Sequence, residues 1–81
     1  MTDESKTVSL CDEIVYRAAC LMIEEAGADI VTVLDRLLTY SAAQAVSMDG
    51  AQDTAAIFRH LADRIEAGAF ASLEGKRGKV N

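Results

Sequence analysis

The 81-residue chain has no proline and no tryptophan, only four aromatic side chains (two Tyr and two Phe), one His and two Cys. Without proline, nothing in the sequence forces a helix to break by removing a backbone N–H. The five glycines stand at 27, 50, 68, 75 and 78, so the first three punctuate the chain at intervals of roughly twenty residues. Fourteen alanines complete a composition that favours an all-α chain. With so few aromatics, a core must come from Leu, Ile, Val and Met, with Ala permitting close backbone approach.

Chemistry-bearing motifs are missing as well. There is no glycine-rich phosphate loop, no Cys-x-x-Cys, no Gly-x-Ser-x-Gly and no paired Gly-x-Gly. No internal repeat recurs at a fixed period. These gaps point away from an enzyme and away from a bound cofactor, so no catalytic, cofactor-binding or metal-binding residue is expected.

Positive charge is also scarce. The net charge is −5, and three of the eight basic residues, Lys76, Arg77 and Lys79, fall in the last seven positions. Residues 1–74 therefore carry five basic against thirteen acidic groups, a net −8. Such a body repels a phosphate backbone and an anionic membrane surface, so neither nucleic acid nor membrane is an expected partner. The start, Thr2-Asp3-Glu4-Ser5, offers no basic segment ahead of an apolar one, so no secretory signal is expected. A cytoplasm of the bacterial type is the simplest location.

What the chain does have is one long apolar run. From Ile14 to Ile23 (Ile14-Val15-Tyr16-Arg17-Ala18-Ala19-Cys20-Leu21-Met22-Ile23), Arg17 is the single polar interruption. The run is too short for a bilayer, which needs about 20 apolar residues. As a helix it is apolar around most of its circumference, and one neighbouring helix pair cannot cover it.

Three helices are expected. Ser9 reads as an N-cap, with Asp12 suiting the positive helix end, and the first helix runs to about Ala26 before Gly27 stops it in the left-handed conformation. Glu13, Arg17 and Glu24 share one narrow stripe; Leu10, Ile14, Ala18 and Leu21 lie on one flank, and Val15, Ala19, Met22 and Ile23 continue around the back. Asp29 reads as the cap of a second helix, about Ile30 to Ser47, whose Ala42-Ala43-Gln44-Ala45 patch admits a close neighbour. Asp49-Gly50-Ala51-Gln52 has the form of a capping box for a third helix, about Gly50 to Ala67, with Ile57, Phe58, Leu61, Ala62 and Ile65 on its dry face.

The expected architecture is a three-helix up-down-up unit with short loops, assembling into a helical homo-oligomer, most simply a twofold dimer. Its expected divisions are a flexible N-terminus over 1–8, a single three-helix domain over 9–74 and a disordered basic tail over 75–81. The candidate interface is Ile14, Val15, Arg17, Ala18, Leu21, Met22 and Ile23. Arg17 sits at its rim, either in an i, i+4 pair with Glu13 or fixing the register of the seam. Tyr16 and Tyr40 offer hydroxyls to such a seam.

The remaining polar candidates read more plainly. Cys11 and Cys20 lie on opposite sides of the first helix, so they share neither a metal nor an intrahelical disulfide and read as small buried hydrophobes in a reducing compartment. His60, with Asp63 one turn on, occupies a polar face and reads as a solvated His. Glu24-Glu25 with Asp29 reads as solubilising charge, although carboxylates at a helix C-terminus oppose the helix dipole.

The function expected is that of a non-enzymatic, acidic, homo-oligomeric protein-protein interaction module. The alternative is an adaptor or chaperone-like subunit that docks a larger protein through the first helix. An enzyme with an intersubunit site near His60 ranks below both.

Overall fold

The computed structural model describes residues 3–75. These form three α-helices, α1 (Asp3–Ala26), α2 (Ile30–Asp49) and α3 (Ala51–Glu66), followed by a short 3-10 turn over Ala71–Leu73. No strand occurs among the described residues. The all-helical reading therefore holds. The expectation of a disordered basic tail falls mostly on residues outside those described.

Helix α1 begins earlier than its sequence suggests. It starts at Asp3, so residues 3–8 belong to its first turns and Ser9 lies inside the helix instead of capping it. The physical reason is local: Glu4 places negative charge at the positive helix end, and no residue from there to Ser9 breaks the helix. At the other end Gly27 takes φ +70°, and the Ala28 N–H donates to the Met22 carbonyl at 3.1 Å, satisfying one of the last-turn acceptors.

The Asp29 cap forms as expected. Its carboxylate accepts a 2.9 Å bond from the Thr32 N–H in the first turn of α2. That bond, then one from the Thr32 side chain, holds the Asp29 carboxyl below its usual value of 3.8, outweighing a small opposing effect of desolvation. A carboxyl lowered on folding stabilises the fold above its unfolded pKa and loses that stabilisation as pH falls through its folded value. Thermal melts of the protein and of Asp29→Asn, which keeps a good cap without a titrating group, should therefore diverge on acidification below about pH 4. The wild type should lose the larger part of its midpoint. Parallel losses in the two proteins would show that the cap bond carries no pH-linked stability.

The capping box at the second joint does not form. Asp49 is the last residue of α2, Gly50 is the N-cap of α3, and no side chain caps that helix. One residue thus serves both helices. The Gly50 N–H donates to the Val46 carbonyl at 2.9 Å, continuing α2, while its own carbonyl accepts from the Thr54 N–H at 3.1 Å, opening α3. With the turn closed by backbone alone, the Asp49 side chain is not needed.

The end of α3 follows the Schellman pattern. Gly68, at φ +102°, donates to the Ile65 carbonyl, and Ala69 donates to the Arg64 carbonyl, both at 3.0 Å. Gly68 stops the helix as its position suggests. The chain then folds into the short turn carrying Phe70 and Leu73.

The chain divides into two compact units, one ending at Ser41 and the other beginning at Ala42. The first contains α1 and the beginning of α2. Its fully buried side chain is Val33, with Ala18, Ala19, Cys20, Met22 and Leu37 half-buried. The second contains the remainder of α2, α3 and the final turn. Here Thr54 is buried, and Ala42, Ala45, Ala55 and Phe58 are half-buried. Ala42 and Ala45 of the alanine-rich patch in α2 thus lie on the packed side of this unit, whereas Ala43 and Gln44 are exposed. The Thr54 hydroxyl has no hydrogen-bond partner, a desolvated polar group that costs roughly 1–3 kcal/mol.

Candidate functional site: exposed apolar faces

Val33 and Thr54 are the only buried side chains among the described residues, whereas nineteen large apolar side chains are exposed. Isolated exposed apolar residues are ordinary, but contiguous ones mark interaction surfaces. Here they fall into helical stripes, so the arrangement is contiguous.

Helix α1 carries two apolar seams because two sets of residues recur near heptad spacing. Val8, Val15 and Met22 follow a seven-residue period on the side where Ala18 and Ala19 are half-buried. Leu10, Ile14 and Leu21 form the other seam, with Arg17 completing the 4-3-4 spacing between them. Ile14 is 57 % exposed and Leu21 51 % exposed, so the helices of the chain leave this second seam open.

The seven residues singled out in the sequence therefore do not share one face. Ile14, Arg17 and Leu21 lie together on the open seam. Ala18 and Met22 are half-buried within the first unit, and Val15, although half exposed, belongs to the same seam as Met22. Ile23 projects from a third direction, near Tyr16 and Cys20. The Cys20 thiol, one turn on, pushes the Tyr16 phenol above its usual 10.0, through a hydrogen bond first and charge second.

Arg17 is exposed and makes no ion pair among the described residues. The one salt bridge among the described residues joins neighbours on α2, Arg36 and Asp35, at 3.0 Å. The i, i+4 pair with Glu13 that spacing permits is not formed, and both groups remain open to solvent.

Two further apolar stripes are open in the structure. On α2, Ile30, Leu34 and Leu38 recur every fourth residue and are all exposed; on α3, Ile57, Leu61 and Ile65 do the same. The α3 set is the dry face that its periodicity marks. In the structure Phe58 on that face is half-buried and the other three are open. The stripe runs on into a half-open hollow of about 530 Å³, lined by Ile65, Phe70, Ala71 and Leu73 with the carboxylates of Glu66 and Glu74.

Polar chemistry is dispersed by comparison. Both cysteines are free thiols; Cys20 is half-buried, but Cys11 is exposed and is not the buried hydrophobe expected of it. No cluster of three or more His, Cys, Asp or Glu is placed to hold a metal among the described residues. His60 is exposed and lines neither the hollow beside Phe70 nor the shallow one beside Gln52 and Arg59. No helix in the described residues is long and apolar enough to cross a membrane.

No protein-family model, no curated protein and no solved structure matches the chain.

Proposed function

We propose that the protein is a non-enzymatic interaction module that works as a homo-oligomer, most simply a twofold dimer, with the open seam of α1 at its interface. The observation that carries this reading is the mismatch between two buried side chains and nineteen large exposed apolar ones. Each half-exposed Leu or Ile leaves roughly 1 kcal/mol of burial unused, on a transfer scale of about 1.5–3 kcal/mol for a whole side chain. Small chains meet such a shortfall with disulfides, metals or oligomerisation, and both thiols here are free.

Light scattering at micromolar concentration tests the proposal. The expected mass is at least twice that of the 8.7 kDa chain. The melting midpoint should also rise with protein concentration, because for a dimer each tenfold increase adds about 1.4 kcal/mol to apparent stability. A monodisperse 8.7 kDa species with a sharp, concentration-independent melt would refute it. A monomer that melts without cooperativity and orders only on a larger protein would instead establish the adaptor role.

A further inference from the structure

Resting on that reading of α1, we infer that two copies of the chain pair through this helix in antiparallel orientation, with Arg17 of each copy held by Glu13 of the other. The open seam has the spacing Leu10, Ile14, Arg17, Leu21, Glu24, alternating four and three residues as in a coiled coil. A parallel pair would set each position against itself. Arg17 would then meet a second Arg17 inside the apolar seam, and Glu24 a second Glu24. Both encounters place like charges together as water is excluded, which costs several kcal/mol.

Antiparallel pairing removes both encounters. When the twofold axis crosses the helices between Val15 and Tyr16, Leu10 of one copy faces Leu21 of the other and Ile14 faces Arg17. Leu10 and Leu21 then fill the two outer layers, and Ile14 beside Arg17 fills the two inner ones. The aliphatic stem of Arg17 packs beside the partner copy's isoleucine, and its guanidinium leaves the seam at the edge. A perpendicular twofold axis brings the same flank of both helices together. The flank carrying Glu13 therefore meets its counterpart, with Glu13 of one copy within a residue's rise of Arg17 of the other, about 1.5 Å along the axis. Both groups are exposed, and neither forms an ion pair among the described residues, which leaves each in reach of the other copy. Each dimer would hold two such pairs.

The test uses two full-length variants, Arg17→Glu and Glu13→Arg. In the antiparallel dimer each variant alone sets two like-charge pairs at the edge, so each should self-associate about tenfold more weakly or worse. Mixed one to one, they should assemble again, because the heterodimer restores two opposite-charge pairs. Self-association of either variant at wild-type strength would overturn the inference. A second measurement excludes simple attraction between oppositely altered chains. With Cys11→Ser and Cys20→Ala as background, oxidised mixtures of Leu10→Cys and Leu21→Cys should give chiefly the mixed disulfide. Disulfides within each variant taken alone would show parallel pairing, overturning the orientation while keeping the dimer. A wild-type chain that scatters as a monomer overturns the functional reading itself.

Discussion

Leu21→Asp is expected to weaken self-association by two to four orders of magnitude and to abolish a cooperative melt at micromolar concentration. Leu21 is 51 % exposed in the chain, so about half of its surface remains for a partner to cover. That half is worth about 0.8–1.5 kcal/mol, and twofold symmetry counts it twice, about 1.5–3 kcal/mol per dimer. Two carboxylates facing apolar neighbours add at least as much again. The sum, roughly 3–6 kcal/mol, corresponds to about a 10²–10⁴-fold rise in Kd. Within the isolated chain the substitution costs helix propensity and the covered half of Leu21, about 1–2 kcal/mol together, less than the loss at the interface. The measurement is sedimentation or light scattering across a dilution series, with Thr39→Asp on the polar side of α2 as the charge-matched control. Unchanged association in Leu21→Asp would remove α1 from the interface, whatever the oligomeric state.

This prediction shows which parts of the fold were legible from sequence. The helix count, the stops at Gly27 and Gly68 and the Asp29 cap each rest on one local rule, and backbone conformation at those residues is decided locally. The Ser9 cap and the capping box at Asp49 failed for a related reason. A cap residue acts only where the helix ends, and nothing local obliged α1 to begin at Ser9 or α2 to end before Asp49. The stripe Ile57, Leu61, Ile65 was legible only in part. Periodicity states that a face is dry, but not whether its own chain or another molecule covers it. Burial of Thr54, a polar residue, in place of Ile57 could not be read from a hydropathy pattern at all. The surplus of apolar surface in α1 was legible because it exceeds what any single neighbour can hide. Its division into two seams required the observed partial burial of Ala18, Ala19 and Met22.

Gly50→Ala is expected to lower the stability of the chain by about 1–3 kcal/mol, the cost of holding a residue with a Cβ in a glycine-only backbone region. Gly50 has φ +90° and ψ 162°, outside the left-handed helical basin that Asn or Asp tolerates. A Cβ placed there meets nothing within 4 Å, so the cost is one of backbone conformation and not of collision. Gly27, at φ +70°, sits nearer that basin, and Gly27→Ala should cost roughly 1–2 kcal/mol. At fixed protein concentration the Gly50→Ala midpoint should fall by about 4–8 °C per kcal/mol. Alanine also favours the alternative in which the joint straightens. A continuous helix would join the N–H groups of Ala51, Gln52 and Asp53 to the carbonyls of Ser47, Met48 and Asp49, satisfying groups that the turn leaves free. Circular dichroism separates the two responses: strain alone lowers the midpoint at constant helicity, whereas straightening lowers it while helicity rises. A variant as stable as the wild type at unchanged helicity would mean that the joint does not need glycine, and that the turn is set by the surfaces α2 and α3 cover.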